Sequence, residues 1–503
     1  MKKIYLSSQI REIEQQTFDA EQISSIELME RASLKFAEKL LNLLPESEHF
    51  TIIVGKGNNA GDGLAIARIL ITKFSKKVTC YSIYSQEFLC DNAKLNFTKL
   101  SLLADIQIIN TVDDLIFEKD SVVIDAIFGI GLNRPVNGFV AACIHKINLY
   151  SGTIVSVDLP SGLFSDSLCK DDSPIVQTDY ILTFEYFKLS FIFPEIAPQL
   201  GEIHILDIGI SKHEGKIVPF MNILDQSDIQ QIYKPRKDFS HKGHFGHSLL
   251  IVGSYGMMGA AVLAASSCVK AGSGKTTVHI PGCGYDIMQT SVPEAMVWAD
   301  YTKECITTTY DSINNFESVG IGPGIGTEKE TVKAVEFYLN HRDKPMVLDA
   351  DALNILSESP SYLNLIPPQS IITPHVKEFD RIFGKQEDSC CRFQTAQKVS
   401  AEKNIIIVLK DRFTTIYLPN GEIFVNVIGN SGLAKGGSGD VLLGIITALL
   451  AQKYSSNEAA ILGVYLHAHT ADILIKEGLC SKESMLASDI FKNLHKSFIS
   501  LST

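Results

Sequence analysis

The run TIIVGKGNNAGDGLAIARIL (51–70) constrains the fold more than any other segment. Four apolar or β-branched residues enter a glycine-rich turn, and an apolar helical stretch follows at once. A strand of that kind belongs to a parallel sheet whose crossovers are helices covering both faces. The pattern recurs at SVVIDAIFGIGL (121–132) and TIVSVDLPSG (153–162), each strand delivering polar residues at its carboxyl end. In open parallel sheets ligands bind beyond those ends. Ahead of them, residues 8–44 have helical periodicity, with Ile10, Ile13, Phe18, Leu28, Met29, Ala32 and Phe36 at the apolar positions.

From about 211 to 246 the pattern turns mixed and charged, with Pro219 and Pro235, and a boundary is expected near 222–225. A second α/β series starts at 247. It continues through SVGIGPGIG (318–326), PMVLDADAL (345–353), SIITPHVKEF (370–379), IIIVLKDRFTTIYL (405–418) and GNSGLAKGGSGDVLLGIITALL (429–450). The expected domains are 1–222 and 223–503. They share no motif series, which excludes a duplicated domain.

Charge narrows the partners. With 45 basic against 57 acidic residues, the net charge of −12 argues against nucleic acid and anionic membrane, both of which need a basic field. Apolar runs such as 441–451 are too short to span a bilayer, and the first twenty residues have no apolar signal core. Ten cysteines without a CxxC pattern read as thiols of a cytoplasmic protein.

Three tempting motifs fail. AGSGKTT (271–277) lacks the first glycine of a P-loop, since position 269 is Val, and runs from helix to strand instead of strand to helix. His241, His244 and His247 straddle a glycine-broken loop without a carboxylate or cysteine at ligand spacing. Ser161 lacks the preceding glycine of a nucleophile elbow.

Four features of the second half carry chemistry. GGSGD (436–440) opens an apolar helix, so its backbone amides form an anion hole. Asp440, in the first turn, is expected to be kept ionised by the helix dipole and to take a proton from a hydroxyl. An N-cap role for Asp440 is the plain alternative. GPGIGTEKE (322–330) is a second glycine turn entering a helix. VLDADALN (347–354) ends a strand in Asp349 and Asp351, which can hold Mg²⁺ or act as caps. ITPHVKEF (372–379) places His375 and Glu378 at another strand end.

GMMGAAVLAA, GPGIG, VLDADALN, TPH..E and GN.G.A.GGSGDVL.GII.ALLAQ, in this order over about 235–500, resemble the ribokinase-like NAD(P)H-hydrate dehydratases. GNNAGDG (57–63), VIDAIFGIGL (123–132), VDLPSG (157–162) and LTFEYFK (182–188) are similar to the NAD(P)H-hydrate epimerase domain. The resemblance implies an N-terminal Rossmann-like α/β sandwich and a C-terminal ribokinase-like α/β/α fold. It also implies a repair route. Hydration of the nicotinamide C5–C6 double bond gives R and S epimers of NADHX or NADPHX. The first domain would interconvert them. The second would phosphorylate the S form with ADP and eliminate phosphate, leaving NAD(P)H, AMP and phosphate.

Carried over by position, the epimerase pocket would be Asn58, Asn59, Ala60, Gly61 and Asp62, then Gly129, Ile130, Gly131, Leu132, Asn133, Arg134 and Pro135, with Asp158. A K⁺ site would fall on Asn59, Asp125 and Ser161. Asp125 and Lys188 are the candidates for epimerisation chemistry, and Asp125 stays open between metal-binding and catalytic roles. In the dehydratase, Ala260, Gly324, His375 and Asp440 would touch the hydrate. Lys410, Asp411, Arg412, Phe413, Thr414 and Gly439 would hold ADP with Mg²⁺, the amides of 437–439 forming the anion hole and Asp440 the base. A homo-oligomer is expected from the family alone. Ala60, Val376-Lys377 and Asp411 depart from the usual Gly, Pro-Gly and Gly. The competing readings are a ribokinase-like kinase of a small vitamin or sugar, and an N-terminal half that only binds.

Overall fold

A computed structural model of the chain describes residues 2–169 and 173–502. It divides into two compact units, Lys3–Phe220 and Met221–Thr503. Both are α/β. Among the described residues no helix is long and apolar enough to cross a membrane.

In the first unit the periodic stretch 8–44 is two helices, α1 (Ser7–Glu21) and α2 (Ser25–Leu43). Gln22 turns left-handed at φ 53°, and Ser24 opens α2 in a capping box with Glu27, whose carboxylate accepts from the Ser24 N–H at 2.8 Å. The strands β1 (His49–Val54), β2 (Lys77–Ser82), β3 (Ile106–Ile108), β4 (Val122–Ala126), β5 (Ile154–Val157), β6 (Tyr180–Phe184) and β7 (Glu202–Leu206) form one parallel sheet. Their order is β3-β2-β1-β4-β5-β6-β7. The chain leaves β1 toward one edge and β4 toward the other, so a crevice opens between their carboxyl ends, with Val54 paired to Ala126. Helix α3 (Asn58–Thr72) follows β1 directly. Ala60 lies in its first turn with negative φ, so a side chain there is unstrained. Phe36 and Leu40 of α2 pack with Leu64 and Ile69 of α3 on one face of the sheet, while Cys143, Ile144 and Ile147 cover the other.

The second unit is built on β8 (Met221–Ile223), β9 (His247–Ile251), β10 (Lys275–Ile280), β11 (Met296–Ala299), β12 (Ser318–Ile321), β13 (Met346–Leu348), β14 (Ile371–Ile372), β15 (Ile406–Leu409), β16 (Thr414–Tyr417) and β17 (Ile423–Asn426). From β8 the order runs β17-β16-β15-β14-β13-β12-β9-β10-β11. Strands β9 to β15 pair in parallel, whereas β15–β16 and β16–β17 are antiparallel. The apolar run 405–418 is therefore a hairpin, turned by the residues 410–413 with Lys410, Asp411 and Arg412 among them. Helix α4 (Met258–Lys270) runs into β10, so AGSGKTT has the helix-to-strand order that disqualifies a P-loop.

The sheet's central cover is α4 against α7 (Ser438–Ala451), beside α8 (Ser456–Lys476) and α9 (Ala487–Ser502). Gly444 permits the closest approach: a Cβ there would meet Ser267 Oγ at 2.0 Å and the Ala264 carbonyl at 2.3 Å. This contact seats α7 so that its amino end emerges at the carboxyl ends of the strands. Two short helices, α5 (Asp351–Glu358) and α6 (Val376–Phe383), start at the same rim.

Candidate functional site

The crevice of the first unit is a cavity of about 550 Å³. Of the residues singled out in the sequence, Asn58, Asn59, Asp62, Gly129, Ile130, Gly131, Leu132, Asn133, Arg134, Asp158 and Lys188 line it. Helical periodicity explains the selection along α3. Residues 58, 59 and 62 share its open face, while Ala60 and Gly61 turn into the core, where a Cβ on Gly61 would meet Met29 Sδ at 2.8 Å. Ala60, Gly61, Pro135, Asp125 and Ser161 are not part of the lining.

Asp125 lies behind the cavity, fully buried at the end of β4. Its Oδ1 accepts from Ser161 Oγ at 2.5 Å and Ile127 N at 3.3 Å; its Oδ2 accepts from Ser161 N at 2.8 Å and Ser156 Oγ at 3.0 Å. Burial pushes this carboxyl up, against the pull of those four donors. The network continues outward. Phe128 N donates to Ser161 Oγ at 2.9 Å, and Asn59 Nδ2 donates to the Phe128 carbonyl at 2.9 Å. Ser161 thus bonds Asp125 directly, and Asn59 joins them only through its Nδ2 at the Phe128 carbonyl.

Asp158 and Lys188 form a different arrangement. Asp158 is held at a left-handed φ of 65°, and its Oδ1 accepts from Lys188 Nζ at 2.8 Å, Phe184 N at 3.0 Å and Thr183 Oγ1 at 3.0 Å. Lys188, 1% exposed, gives its other hydrogens to the carbonyls of Phe184 at 3.0 Å and Tyr186 at 3.1 Å. Its ammonium has no hydrogen to spare. Two further carboxyls face the same cavity, Asp62 and, from α1, Glu14. Burial and the neighbouring Asp158 push both upward, Asp62 well above the usual carboxylate range. Glu14 and Arg11, which also lines the cavity, escape the sequence reading because they sit on an ordinary amphipathic helix with no motif.

In the second unit the site gathers at the amino end of α7. Lys410 Nζ, at the end of β15, lies 2.8 and 3.2 Å from the two oxygens of Asp349, at the end of β13. Gly439 covers this pair: a Cβ there would stand 3.0 Å from Asp349 Oδ2 and 3.1 Å from Lys410 Nζ. Asp440 follows in the first turn of α7. Its carboxyl is pushed up to about 6 by burial, with Asp349 and Asp351 adding to the rise and Lys410 opposing it. The expectation that the helix dipole alone keeps it ionised underestimates desolvation and two neighbouring acids. His467 of α8, absent from the sequence reading, is buried beneath the turn with Nε2 3.2 Å from Ser438 Oγ. Burial pushes its imidazole down to about 4, so it is neutral and steadies the Gly-Ser-Gly turn.

The remaining candidates lie around this centre. Gly324, at φ 66°, abuts Ala260, whose Cβ would be 3.2 Å from a Cβ on Gly324. Asp351 accepts from Gly326 N at 3.0 Å and Asn354 Nδ2 at 3.0 Å, and so ties the glycine turn to the first turn of α5 without capping it. His375 and Glu378 are a reciprocal capping box of α6: His375 Nδ1 accepts from the N–H of Lys377 and Glu378, and Glu378 Oε2 accepts from His375 N at 2.8 Å. His375 Nε2 lies 3.5 Å from Glu378 Oε1, on a ring about half exposed. Asp411 and Arg412 are exposed in the β15–β16 turn, with the Arg412 guanidinium 5.1 Å over the Phe413 ring, and Thr414 begins β16. His241 and His244 stack at 3.7 Å in their turn, while His247 reaches Thr277 Oγ1 at 2.8 Å, so the three do not converge. A larger cavity of about 730 Å³, lined by residues such as Tyr233, Lys270 and Gln452, includes none of the sequence-selected residues.

The space over Gly439 makes a prediction. A methyl group there presses on both members of the Asp349–Lys410 pair and covers the amides of the turn. Gly439→Ala is expected to lower turnover at this site by at least about ten-fold. The thermal unfolding midpoint should move by less than about 4 °C, since the crowding is local. Unchanged turnover in steady-state assays contradicts this role for the turn.

Comparisons with known proteins bear on both units. A family model described as NAD(P)H-hydrate dehydratase matches residues 248–496, and one described as YjeF-related protein N-terminus matches 25–190. The bifunctional NAD(P)H-hydrate repair enzyme Nnr of Moorella thermoacetica is 32% identical over 492 residues, covering 93% of this chain and 91% of its own. The enzyme of the same name from Coxiella burnetii is 32% identical over 506 residues, covering 98% and 99%. Among solved structures, the ADP/ATP-dependent NAD(P)H-hydrate dehydratase of Bacillus subtilis, co-crystallised with ATP/Mg²⁺, is 28% identical with a TM-score of 0.48. It covers 56% of this chain and 99% of that one.

Proposed function

The chain belongs to the bifunctional NAD(P)H-hydrate repair enzymes, and from that membership we propose how its two domains divide the work. The enzyme interconverts the R and S epimers of NADHX and NADPHX and dehydrates the S form with ADP, releasing NAD(P)H, AMP and phosphate. Residues 1–222 carry the epimerase and 223–503 the dehydratase. The observation that carries the reading is an alignment at 32% identity over 93% of the chain, which spans the crevice between β1 and β4 as well as the amino end of α7. A kinase of a vitamin or sugar leaves the whole first domain without a purpose.

In the epimerase, residues 58–62 and 129–135 with Asp158 receive the dinucleotide. Asn59, Asp125 and Ser161 would hold K⁺, and the closeness of the Asp125 carboxylate, the Ser161 hydroxyl and the Phe128 carbonyl supports that assignment. The cation supplies charge that braces the loop at Phe128. Replacing K⁺ by tetramethylammonium is expected to lower both the epimerisation rate and the unfolding temperature of the enzyme. If neither changes, there is no K⁺ site.

In the dehydratase, Asp440 removes the proton of the C6 hydroxyl while the amides of 437–439 meet the incoming phosphoryl group. Lys410 brings a positive charge to the same point. Ala260, Gly324 and His375 border the hydrate, and Lys410–Thr414 with Gly439 border ADP. Mg²⁺ entering with ADP offsets phosphate charge, with Asp349, Asp351 and Asp440 as nearby acids. Phosphoryl transfer rests on such positioning and charge stabilisation. We further propose a homo-oligomer in the cytoplasm that binds neither nucleic acid nor membrane.

The direct test incubates the enzyme with both epimers and follows absorbance of reduced nicotinamide with ADP and with ATP. Full conversion is expected. A plateau at the S fraction, apart from slow spontaneous epimerisation, removes the epimerase; no conversion with either nucleotide removes the whole reading.

A further inference from the structure

Sequence resemblance points to Asp125 and Lys188 for the epimerisation, yet neither is available to exchange a proton with a ligand. Asp125 is behind the cavity with four donors on its two oxygens, and every Lys188 hydrogen is engaged. The cavity offers another set. Asp158 is 7% exposed, its Oδ1 takes three donors, and its Oδ2 accepts no hydrogen bond among the described residues. Asp62, in the first turns of α3, and Glu14, on α1, have neither a hydrogen-bonded nor an ion-paired carboxyl among the described residues, and both line the same cavity. One acid is thus clamped by a buried ammonium while its neighbours are left without compensation. Such divergent environments separate a proton donor from a proton acceptor.

Resting on the epimerase reading of this domain, we propose that Asp62 is the general acid and Asp158 the general base of the epimerisation, with Lys188 as the positioning residue that clamps Asp158 through Oδ1. The hydrated carbon C6 carries a hydroxyl and is bonded to the ring nitrogen N1. The Asp62 carboxyl transfers its proton to the hydroxyl oxygen, the C6–O bond breaks, and water leaves. The N1 lone pair forms the N1–C6 double bond of a cation, which Asp158 and the newly ionised Asp62 stabilise. Water then adds to the opposite face of C6 and gives a proton to Asp158. Passage of that proton to Asp62 restores the starting state, so no oxidant or reductant is needed. Glu14 adds negative charge that favours the cation and holds the proton on Asp62. The other charged groups around the cavity are Arg11, Lys56 and Arg134.

The test uses the full chain, a mixture of both hydrate epimers, ADP and Mg²⁺. Consumption of the S form gives a fast first phase, and epimerisation of the R form limits the second. The wild type must show a second phase faster than spontaneous epimerisation; if it does not, the epimerase reading itself fails, which is a separate outcome from those below. Asp62→Asn, which imitates the protonated acid in shape, is expected to slow the second phase at least about 100-fold with the first unchanged. Asp62→Glu restores part of it. Lys188→Met releases the clamp on Asp158 Oδ1, so the second-phase kcat falls at least about ten-fold while KM for the R hydrate stays within about two-fold. A merely structural lysine lowers the amount of folded enzyme without changing the second-phase kcat per folded molecule. An Asp62→Asn enzyme within about three-fold of wild type in the second phase overturns the assignment of the acid. A Lys188→Met enzyme whose second-phase kcat per folded molecule stays within about three-fold of wild type overturns that of the base.

Discussion

An Asp440→Asn enzyme is expected to lose about two to four orders of magnitude of dehydratase turnover, yet to be more stable than the wild type at pH 8. The Asp440 carboxyl is pushed up to about 6 by burial and by Asp349 and Asp351. A group raised above its unfolded value holds its proton more tightly in the folded state. Its contribution to stability is therefore complete below the unfolded value and is lost as pH rises through about 6. At pH 8 the ionised carboxylate is a burden, and the neutral amide removes it, a gain of roughly 1–2 kcal/mol. Wild-type turnover should rise with pH through the same region, because only the ionised form accepts the hydroxyl proton. Denaturant titrations at pH 5 and pH 8 with matched kinetics check both halves. An Asn enzyme that is active, or one that is less stable at pH 8, means the carboxylate is held by the helix amides and has another role.

Removal of Lys410 is expected to do the opposite to stability. The Asp349 side chain is 2% exposed and has Lys410 against both its oxygens, so Lys410→Met strands a buried carboxylate. Breaking such a pair costs about 3 kcal/mol. Adding Asp349→Asn should return most of that, because the second change removes the uncompensated charge. Activity is not expected to return, since the proposed phosphoryl site still lacks the positive charge of Lys410. Lys410 also holds the carboxyls of Asp440 and Glu378 down, so the pH at which residual turnover rises should move upward in Lys410→Met. Urea unfolding of the single and double variants decides it: a double variant as unstable as Lys410→Met alone contradicts the charge argument.

The elements that carry these sites were largely legible. The glycine turns after β1 and before α7 follow from apolar runs interrupted by residues that free the backbone, a local signal. The break at Gln22 was missed, because helical periodicity runs through it, although the Ser24–Glu27 spacing of a capping box marks it. Other distinctions had no local signature. Asp125 and Asp158 each stand at the end of an apolar strand and look equivalent in sequence. Folded, the first is saturated by Ser156, Ser161 and Ile127, and the second keeps one oxygen toward a cavity. His375 reads as a contact of the hydrate, and it and Glu378 are first of all each other's caps. Glu14 and His467 carried no motif, because their importance comes from neighbours far away in the chain.

The amino-acid sequence by itself determined two α/β domains, the positions of their turns, and which residue types arrive at the strand ends. Those properties depend on side-chain periodicity and backbone freedom within a few residues. Only the tertiary structure decided which carboxyls are paired, which are stranded, and which hold a proton. Charge state depends on burial and on opposite charges a few ångströms away. The partners concerned, Asp349 with Lys410 and Asp158 with Lys188, meet only when separate strands close into one sheet.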